Sequence, residues 1–337
     1  MAYRLNFHPS PPDPRDFKVK LATAAPGGAA APLKAAPLPA SADLVAMCTT
    51  IKDQGQVGAC TAFATVGAME YMEKRFNANP TADIFSERFT YYVTRVDVAG
   101  WSTEDSGAYI RDAIKSVAKY GTCKEGGFPF NGDYKQRPSA ANYTEATKFK
   151  ALTYATFDSA SKADMLQAVK RTLAAGYPVV GGFTCFSNIW NAVKGVIPPA
   201  NGQVIGGHAI LFVGYNDATR QLKFKNSWTS RWGDNGYGYL SYDYILQGNA
   251  SDLWAIYTSL ADAKTLGLDV VDPRKEKQDL QKQLSDVMTY VAANIVNATD
   301  KTKTDSVFAY LLNANKANPK VVGVINSLRA QFRALSS

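Results

Sequence analysis

The chain has 337 residues, of which 46% are hydrophobic and 20% charged, and its net charge is +8. This composition is that of a globular protein, and the length exceeds that of one average domain. The basic residues are spread along the chain without a dense Lys/Arg block, which argues against a nucleic-acid partner.

The sequence contains no run of 18 or more apolar residues, and no apolar stretch follows Met1–Asn6. We therefore expect no membrane-spanning helix, no membrane partner and no Sec signal peptide, so the protein is expected in the cytoplasm or exported by a signal-less route. The four cysteines do not form a disulfide framework, and a reducing compartment is the simpler interpretation. Two histidines and four scattered cysteines offer no metal-ligand spacing, so no metal or cofactor is expected.

Residues 1–37 form an N-terminal segment rich in proline and alanine, with four prolines between Pro9 and Pro14. No periodic pattern surrounds His8. The alanine, proline and glycine tract from Ala22 to Ala40 is typical of an irregular linker.

The stretch Gln54–Phe63 is a glycine-punctuated turn that runs directly into a segment with apolar residues near helical spacing. It predicts a helix to about Phe76, with Cys60 at or just before the helix N-terminus. Unpaired backbone N–H groups and the helix dipole favour an anion there, so the pKa of the Cys60 thiol is expected to be lowered. Taken alone, Cys60 is better interpreted as a buried structural cysteine, and only its partners elsewhere in the chain favour a nucleophile.

The first half of the chain is predicted to be mostly helical and the second half to be rich in strands. Further helices are expected near Ser86–Val98 and Tyr109–Tyr120. Alternating segments then predict strands at Lys148–Phe157, Pro178–Phe183, His208–Tyr215, Gln221–Lys225, Tyr237–Tyr242 and Leu253–Thr258. Among them, Lys162–Ala175 has the spacing of an amphipathic helix. Helices followed by antiparallel strands indicate an α+β protein of two lobes.

The second histidine, His208, lies in an apolar β-type run that follows two glycines, and Asn226 comes shortly after it. A lone histidine beside a strand is usually a satisfied core residue. A cysteine followed by a histidine roughly 150 residues later, and then by an asparagine, is the order described for papain-like nucleophiles.

At these residues the chain resembles the papain family of cysteine peptidases, which includes the cathepsins. The family's Q-G-x-C-G-S-C-W-A-F-S block corresponds to Gln54–Ala64, its G-H-A block to Gly207–Ala209, and its N-S-W-G-x-x-W-G-x-x-G-Y block to Asn226–Tyr237. The resemblance covers about residues 38–258. Thr61 stands where the family usually has tryptophan, a variant that resembles bacterial members, and Val57 replaces a cysteine that many relatives pair.

The resemblance implies a two-lobed papain-like fold and assigns roles to matched residues. Cys60 would be the nucleophile, His208 the base, Asn226 the residue that orients the imidazole, and Gln54 a donor to the oxyanion. Trp228 would shield the imidazole hydrogen bond from water. Substrate would meet Gly207 and the glycine strip Ser106, Gly107 and Ala108 on the cleft wall. At that strip a helix N-cap by Asp105 or Ser106 is an alternative or additional role.

The sequence changes character after Ala261. Residues Glu276–Val296, Asp305–Ala314 and Pro319–Leu335 carry apolar residues at helical spacing, and Asn318 with Pro319 provides a turn and a helix start. The predicted domains are thus residues 1–37, a catalytic domain of residues 38–260, and a helical extension of residues 261–337. The extension either packs its apolar stripes against itself or the peptidase, or docks a partner or a second copy of the chain.

The function predicted from these observations is peptide-bond hydrolysis in polypeptide substrates. An acyl transferase, either a transpeptidase or a ligase, would use the same residues. A catalytically silent binding module is the alternative from another class, although Gln54, Cys60, His208 and Asn226 are all present. Residues 1–37 could be a built-in blocker of the cleft; a disordered tail, or a segment packed on the back of a lobe, are the alternatives.

Overall fold

The structure is a computed structural model. It describes residues 3–11, 13, 15–21, 37–76, 84–151, 153–157, 161–259, 268–294, 301–315 and 318–335. These residues fall into two compact units that divide near residue 270.

The larger unit contains one lobe of helices and one lobe of antiparallel strands, as the sequence predicted. Its helices are α1 (Cys60–Phe76), α2 (Glu87–Tyr92), α3 (Ile110–Lys119), α4 (Ala140–Ala146), α5 (Lys162–Ala174) and α6 (Tyr242–Leu246). Its strands are β1 (Phe7–His8), β2 (Lys18–Leu21), β3 (Ser41–Asp43), β4 (Ala108–Tyr109), β5 (Thr153–Thr156), β6 (Val179–Phe186), β7 (Val204–Asn216), β8 (Gln221–Lys225), β9 (Tyr237–Ser241), β10 (Ala250–Tyr257) and β11 (Leu268–Val271).

The long central helix α1 begins at Cys60, where the sequence predicted it, and most of its first three turns are buried. The next predicted helix, near Ser86–Val98, is divided into α2 and a π-helical turn at Val93–Val98. The hydroxyl of Ser86 accepts a hydrogen bond from the Phe89 amide and so caps α2. The short helix α4 was not predicted, and a reciprocal capping box between Ser139 and Asn142 fixes its start.

Among the described residues, nine strands form one sheet in the order β11-β2-β5-β10-β6-β7-β8-β9, with β3 paired to β7. Strand β7 pairs antiparallel with both β6 and β8, and α1 packs against it. Because β7 carries His208 and α1 begins at Cys60, the contact between this helix and this strand sets the distance between the two lobes at the cleft.

The N-terminal segment is more regular than the sequence predicted. His8, which has no periodic pattern around it, lies in β1, which pairs in parallel with β4. Further along, β2 lies between β5 and β11 in the large sheet, and Val19 is completely buried in the core of the strand lobe. Two strands of four residues or fewer carry too little alternation to be recognised. Most of the predicted linker from Ala22 to Ala40 lies outside the described residues.

The smaller unit contains helices α7 (Pro273–Asn294), α8 (Lys301–Ala314) and α9 (Pro319–Leu335), close to the bounds predicted from the sequence. The predicted stripe of α7 is confirmed at Val287 and Val291, while Ile295 lies outside the described residues. These apolar side chains pack together with those of the other two helices: Val307, Phe308, Leu311, Val321 and Ile325. The stripes therefore pack against one another within this unit.

Candidate active site

Cys60 is the first residue of α1, and its side chain is completely buried. Burial raises the pKa of the Cys60 thiol to about 11, although the backbone N–H groups of Ala209 and Thr61 oppose this rise. The lowered pKa predicted from the helix N-terminus is therefore wrong for this form of the protein. The helix terminus and its amides are in place, but exclusion of water outweighs them.

His208 and Asn226 are brought together by the pairing of β7 with β8, since Asn226 follows the last residue of β8. The Nε2 atom of His208 lies 2.7 Å from Oδ1 of Asn226. An amide oxygen only accepts, so Nε2–H donates and Nδ1 is left with its lone pair. Within the part of the chain that the structure describes, Nδ1 has no hydrogen-bond partner. Burial lowers the pKa of His208 to about 4.

Trp228 covers this pair. Its ring stacks on the His208 imidazole with 4.4 Å between ring centroids and an interplanar angle of 22°. Only 1% of Trp228 is exposed. A hydrogen bond shielded from water in this way is stronger than an exposed one, and the imidazole is held in one orientation.

Gln54 is held by both lobes. Its Oε1 accepts a hydrogen bond of 2.6 Å from the hydroxyl of Ser227, and its Nε2 donates to the carbonyl oxygen of Val57 at 3.0 Å. The same Nε2 lies 3.4 Å from the carbonyl oxygen of Arg4. The sequence analysis did not identify Ser227 as a positioning residue, although its place directly after Asn226 was the available signal.

In the predicted strip Ser106, Gly107 and Ala108, the last residue belongs to β4, which pairs with β1. The proposed capping role for Asp105 or Ser106 is wrong, because α3 begins at Ile110 and no side chain caps it. Gly107 has a φ of 73°, and a Cβ atom there would lie 1.9 Å from the backbone oxygen of Asn6. The strip is thus paired with the N-terminal segment of the same chain.

The N-terminal segment lies in the cleft, between the strip and the strand that carries His208. The Gly207 amide donates to the carbonyl oxygen of Leu5 at 3.2 Å. Phe7 is buried with only 5% of its surface exposed, among apolar residues that include Cys60. A Cβ atom on Gly182 would lie 2.1 Å from the Phe7 ring, so the absence of a side chain there makes room for this ring.

Asp105 is a site residue that the sequence analysis missed in this role. Its carboxylate accepts hydrogen bonds from the Gly58 amide at 2.9 Å and from the Tyr91 hydroxyl at 2.5 Å. It also forms an ion pair of 2.7 Å with Arg4. Asp105 therefore joins the turn before Cys60, the cleft wall and the N-terminal segment.

A buried group of charges lies behind Gln54 and Asn226 and was also missed. Lys52 forms ion pairs with Glu70 at 2.7 Å and with Glu87 at 2.6 Å. Lys225, which directly precedes Asn226, donates to the hydroxyl of Thr49 at 2.8 Å. These residues are distant in sequence and follow no motif that pairs them, so only the fold brings them together.

All four cysteines are free, and the described residues contain no cluster of His, Cys, Asp or Glu suited to a metal ion. None of the described helices is long and apolar enough to cross a membrane.

Comparison with known proteins gives consistent matches. The profile of the papain family of cysteine proteases matches residues 38–251. An uncharacterized peptidase C1-like protein of Acanthamoeba polyphaga mimivirus is 37% identical over 60% of this chain and 68% of its own length. Cathepsin K of Gallus gallus is 30% identical over 56% of this chain and 54% of its own length.

Among solved structures, that of Xylellain, a cysteine protease from Xylella fastidiosa, is similar with a TM-score of 0.64 and 31% identity. The similarity covers 77% of this chain and 99% of that one. Digestive procathepsin L 3 of Tenebrio molitor has a TM-score of 0.54 at 20% identity and supports the fold alone.

Proposed function

The chain belongs to the papain family of cysteine proteases, and we propose that it is an endopeptidase that uses Cys60, His208 and Asn226 as its catalytic residues and Gln54 as an oxyanion donor. The observation that carries this proposal is the hydrogen bond of 2.7 Å between Nε2 of His208 and Asn226, because it leaves Nδ1 as the basic nitrogen. A similarity to Xylellain, a bacterial cysteine protease, favours the bacterial-type branch of the family.

The reaction follows from these groups. The Cys60 thiol gives its proton to Nδ1 of His208, and its sulfur attacks the scissile carbonyl carbon. The oxygen that becomes negative accepts hydrogen bonds from Nε2 of Gln54 and the backbone N–H of Cys60. His208 then returns the proton to the leaving amine, and a thioester remains on Cys60. Water, deprotonated by His208, then attacks the thioester carbonyl carbon. The carbon–sulfur bond breaks, the acid product leaves, and His208 returns the proton to the Cys60 sulfur.

The arrangement of Gln54 supports its role. Ser227 holds the amide oxygen, so the Nε2 donor is directed toward the cleft. The carbonyl oxygen of Arg4 lies 3.4 Å from this Nε2 atom, at the position where a substrate carbonyl oxygen would lie. A donor fixed in advance toward developing charge requires little reorganisation when the charge appears.

The first test uses Cys60→Ala and His208→Ala. Each should abolish peptide hydrolysis while circular dichroism and thermal unfolding remain those of a folded protein, since both side chains are replaced by smaller apolar ones. Substantial activity in His208→Ala would contradict the assignment.

Gln54→Ala should lower kcat by about 100-fold or more with little change in KM, because the oxyanion forms only in the transition state.

We propose further that residues 1–37 are an inhibitory prosegment of residues 38–260, and that the helical residues 261–337 are an extension. The direction of the segment supports this assignment. The leaving amine of a substrate must lie at His208, beside Trp228. In the segment, the residue beside Trp228 is Tyr3, whereas the chain that follows Arg4 runs to the cleft wall at Ala108. The segment therefore lies opposite to the productive direction and presents no leaving amine to His208.

Variants at the contact between Phe7 and Gly182 test this inhibition. Phe7→Ala should raise the rate of Cys60 alkylation by iodoacetamide, and of hydrolysis of a short peptide, by at least about tenfold, because removal of a buried ring weakens docking strongly. Gly182→Ala should act similarly, since its Cβ would lie 2.1 Å from the Phe7 ring.

The double variant separates this effect from general destabilisation. Once Phe7 is alanine, the added methyl on residue 182 has no ring to displace, so the effects should not add. Gly126→Ala is the matched control, because its Cβ would have no neighbour within 4 Å. Alkylation at the wild-type rate in both single variants would rule out the inhibitory role. Point variants are preferable to deletion of residues 1–37, since that deletion also removes buried Val19.

A further inference from the structure

Asp105 directs its two carboxylate oxygens to different sides. Oδ1 faces the protein, where it accepts hydrogen bonds from the Gly58 amide at 2.9 Å and from the Tyr91 hydroxyl at 2.5 Å. Oδ2 lies 3.1 Å from the same amide and forms an ion pair of 2.7 Å with Nη1 of Arg4, in the docked segment. Only 6% of the Asp105 side chain is exposed, so the carboxylate is held in place and presents one oxygen to the cleft.

The place of Arg4 relative to the scissile bond follows from the proposed function, on which this inference rests. Its carbonyl oxygen lies 3.4 Å from Nε2 of Gln54, the proposed oxyanion donor, so Arg4 stands where the residue with the attacked carbonyl would lie. Because Cα is bonded to the carbonyl carbon, a substrate residue at this place has its Cα near that of Arg4, whichever way the chain runs. A long cationic side chain on that substrate residue can therefore reach the carboxylate that Arg4 reaches, beside the turn that precedes Cys60.

Among the described residues, Arg4 is the cation that forms an ion pair with Asp105. A second guanidinium, that of Arg95, lies near enough to interact with this charge. Its N–H groups instead donate to the backbone carbonyl oxygens of Tyr91, Thr103, Glu104 and Tyr134. When the segment leaves the cleft, the carboxylate therefore keeps neutral donors, and a new cation can take the place of Arg4.

The charge of Asp105 also acts on the nucleophile. Burial is the main cause of the raised pKa of the Cys60 thiol, and the negative charge of Asp105 adds to it. A cation bound at Asp105 offsets that charge, which favours the thiolate form that attacks the substrate. The site is thus better suited to catalysis when a cation is present.

We propose that Asp105 is a specificity-determining residue that binds a cationic side chain, arginine or lysine, on the substrate residue whose carbonyl carbon is attacked. Arg4 occupies this subsite when the segment is docked. It contacts the carboxylate through one guanidinium nitrogen, Nη1, and 53% of its side chain is exposed. A lysine ammonium can make the same single contact, so the subsite accepts both residues.

The charge of the substrate residue should decide recognition at this subsite. A hydrogen bond between charged groups is about twice as strong as one between neutral groups. We expect an arginine substrate to be favoured over a neutral substrate of the same shape by about tenfold in kcat/KM. Because the cation is half exposed, the preference should weaken as the salt concentration is raised.

The experiment compares short N-blocked peptides that differ only in the residue whose carbonyl is attacked: arginine, lysine or citrulline. All carry the same fluorescent amine as leaving group, and citrulline has the length and shape of arginine without its charge. The protein is the full chain carrying Phe7→Ala to free the cleft, and kcat/KM is measured for each peptide. The ratio of arginine to citrulline does not depend on the fraction of open clefts, because that fraction scales both rates equally.

Asp105→Asn, added to this protein, removes the charge but keeps an acceptor for Gly58 and Tyr91, since its amide oxygen can take the place of Oδ1. It should lower the ratio of arginine to citrulline from about ten to about one, and the ratio of lysine to citrulline likewise. Glu104→Gln is the matched control, because it removes one negative charge from the preceding residue, whose side chain is 67% exposed. It should leave both ratios as they are in the parent protein.

The failures of the two proposals are distinguishable. Equal kcat/KM for the arginine and citrulline peptides would overturn the subsite while the proposed function stands, and this comparison needs no change at Asp105, so it holds even where Asp105→Asn does not fold. A preference that survives Asp105→Asn, or that Glu104→Gln removes to the same extent, would also overturn the subsite. If no peptide is hydrolysed and Cys60 forms no thioester, the proposed function fails and this inference fails with it.

Discussion

At the scale of single residues, Cys60 and His208 are both completely buried, and Tyr3 and Phe7 lie in the cleft beside them. Exclusion of water raises the pKa of the Cys60 thiol to about 11 and lowers the pKa of His208 to about 4. Motifs in the sequence were enough to select Cys60, His208 and Asn226 as candidates. The pKa of the thiol was predicted with the wrong sign, because Tyr3 and Phe7 lie more than fifty residues before Cys60 and no local pattern reveals them.

The buried imidazole predicts a dependence of stability on pH. The pKa of His208 is lowered to about 4 in the folded protein from an ordinary value of 6.5. Between these pH values the unfolded chain binds a proton that the folded chain does not. The contribution of neutral His208 to the free energy of unfolding is therefore fully present above pH 6.5 and is lost as the pH drops toward 4. The loss should reach about 3 kcal/mol, since each pH unit is worth about 1.4 kcal/mol.

Urea unfolding at pH 7 and pH 4 measures this loss. The pair to compare is Cys60→Ala with and without His208→Gln, because the alanine prevents self-digestion and glutamine stays neutral at both pH values. Every other acid-sensitive group is common to the two proteins and cancels in the comparison. The same decrease in unfolding free energy in both proteins would show that His208 is not held neutral by burial.

At the scale of helices and strands, long periodic segments were predicted well and short pairings were not. Helices α3 and α5 have nearly the predicted bounds because each buries one face, while α1 was found from its apolar residues and is buried on all sides over its first three turns. Strand β7 was predicted from His208 but begins at Val204, since its first residues pair with the end of β6. Strand β1 has two residues and pairs with β4, about a hundred residues away in the chain. Contacts of that separation leave no signature in local sequence.

The same limit applies to Asp105 and to Lys52. Each is one polar residue among many in the sequence, and its importance comes from what the fold places around it. Asp105 receives hydrogen bonds from Gly58 and Tyr91, and Lys52 lies between Glu70 and Glu87. A buried charge requires such partners, so the need for them was predictable, but their identity was not.

At the scale of the larger unit, the N-terminal segment is held at two places that are far apart along it. Its first residues lie in the cleft, and β2 lies between β5 and β11 in the large sheet. Between them, Asp16 forms an ion pair of 2.7 Å with Arg111, and the Ser10 hydroxyl donates to Asp252 at 2.7 Å. Strand β11 therefore pairs with a strand that lies more than two hundred residues earlier in the chain.

This arrangement predicts that β11 contributes to closure of the cleft. Val19 of β2 and Leu268 of β11 are both completely buried in the same core cluster. A chain that ends after Val271 keeps β11 and should show the slow Cys60 alkylation of the full chain. A chain that ends after Ala261 lacks β11, so β2 becomes an edge strand and holds the cleft residues less firmly. Because a looser tether lowers their effective concentration, alkylation should be about threefold to tenfold faster.

Leu268→Ala in the full chain provides the matched point variant, since it weakens the same contact without removing any other residue. It should raise the alkylation rate in the same direction but by less than the shorter chain does. Combining either change with Phe7→Ala should add little, because a segment already released from the cleft has no closure left to lose. Equal alkylation rates for the chains ending at Val271 and at Ala261 would show that the cleft contacts alone hold the segment, and that β11 serves only the stability of the sheet.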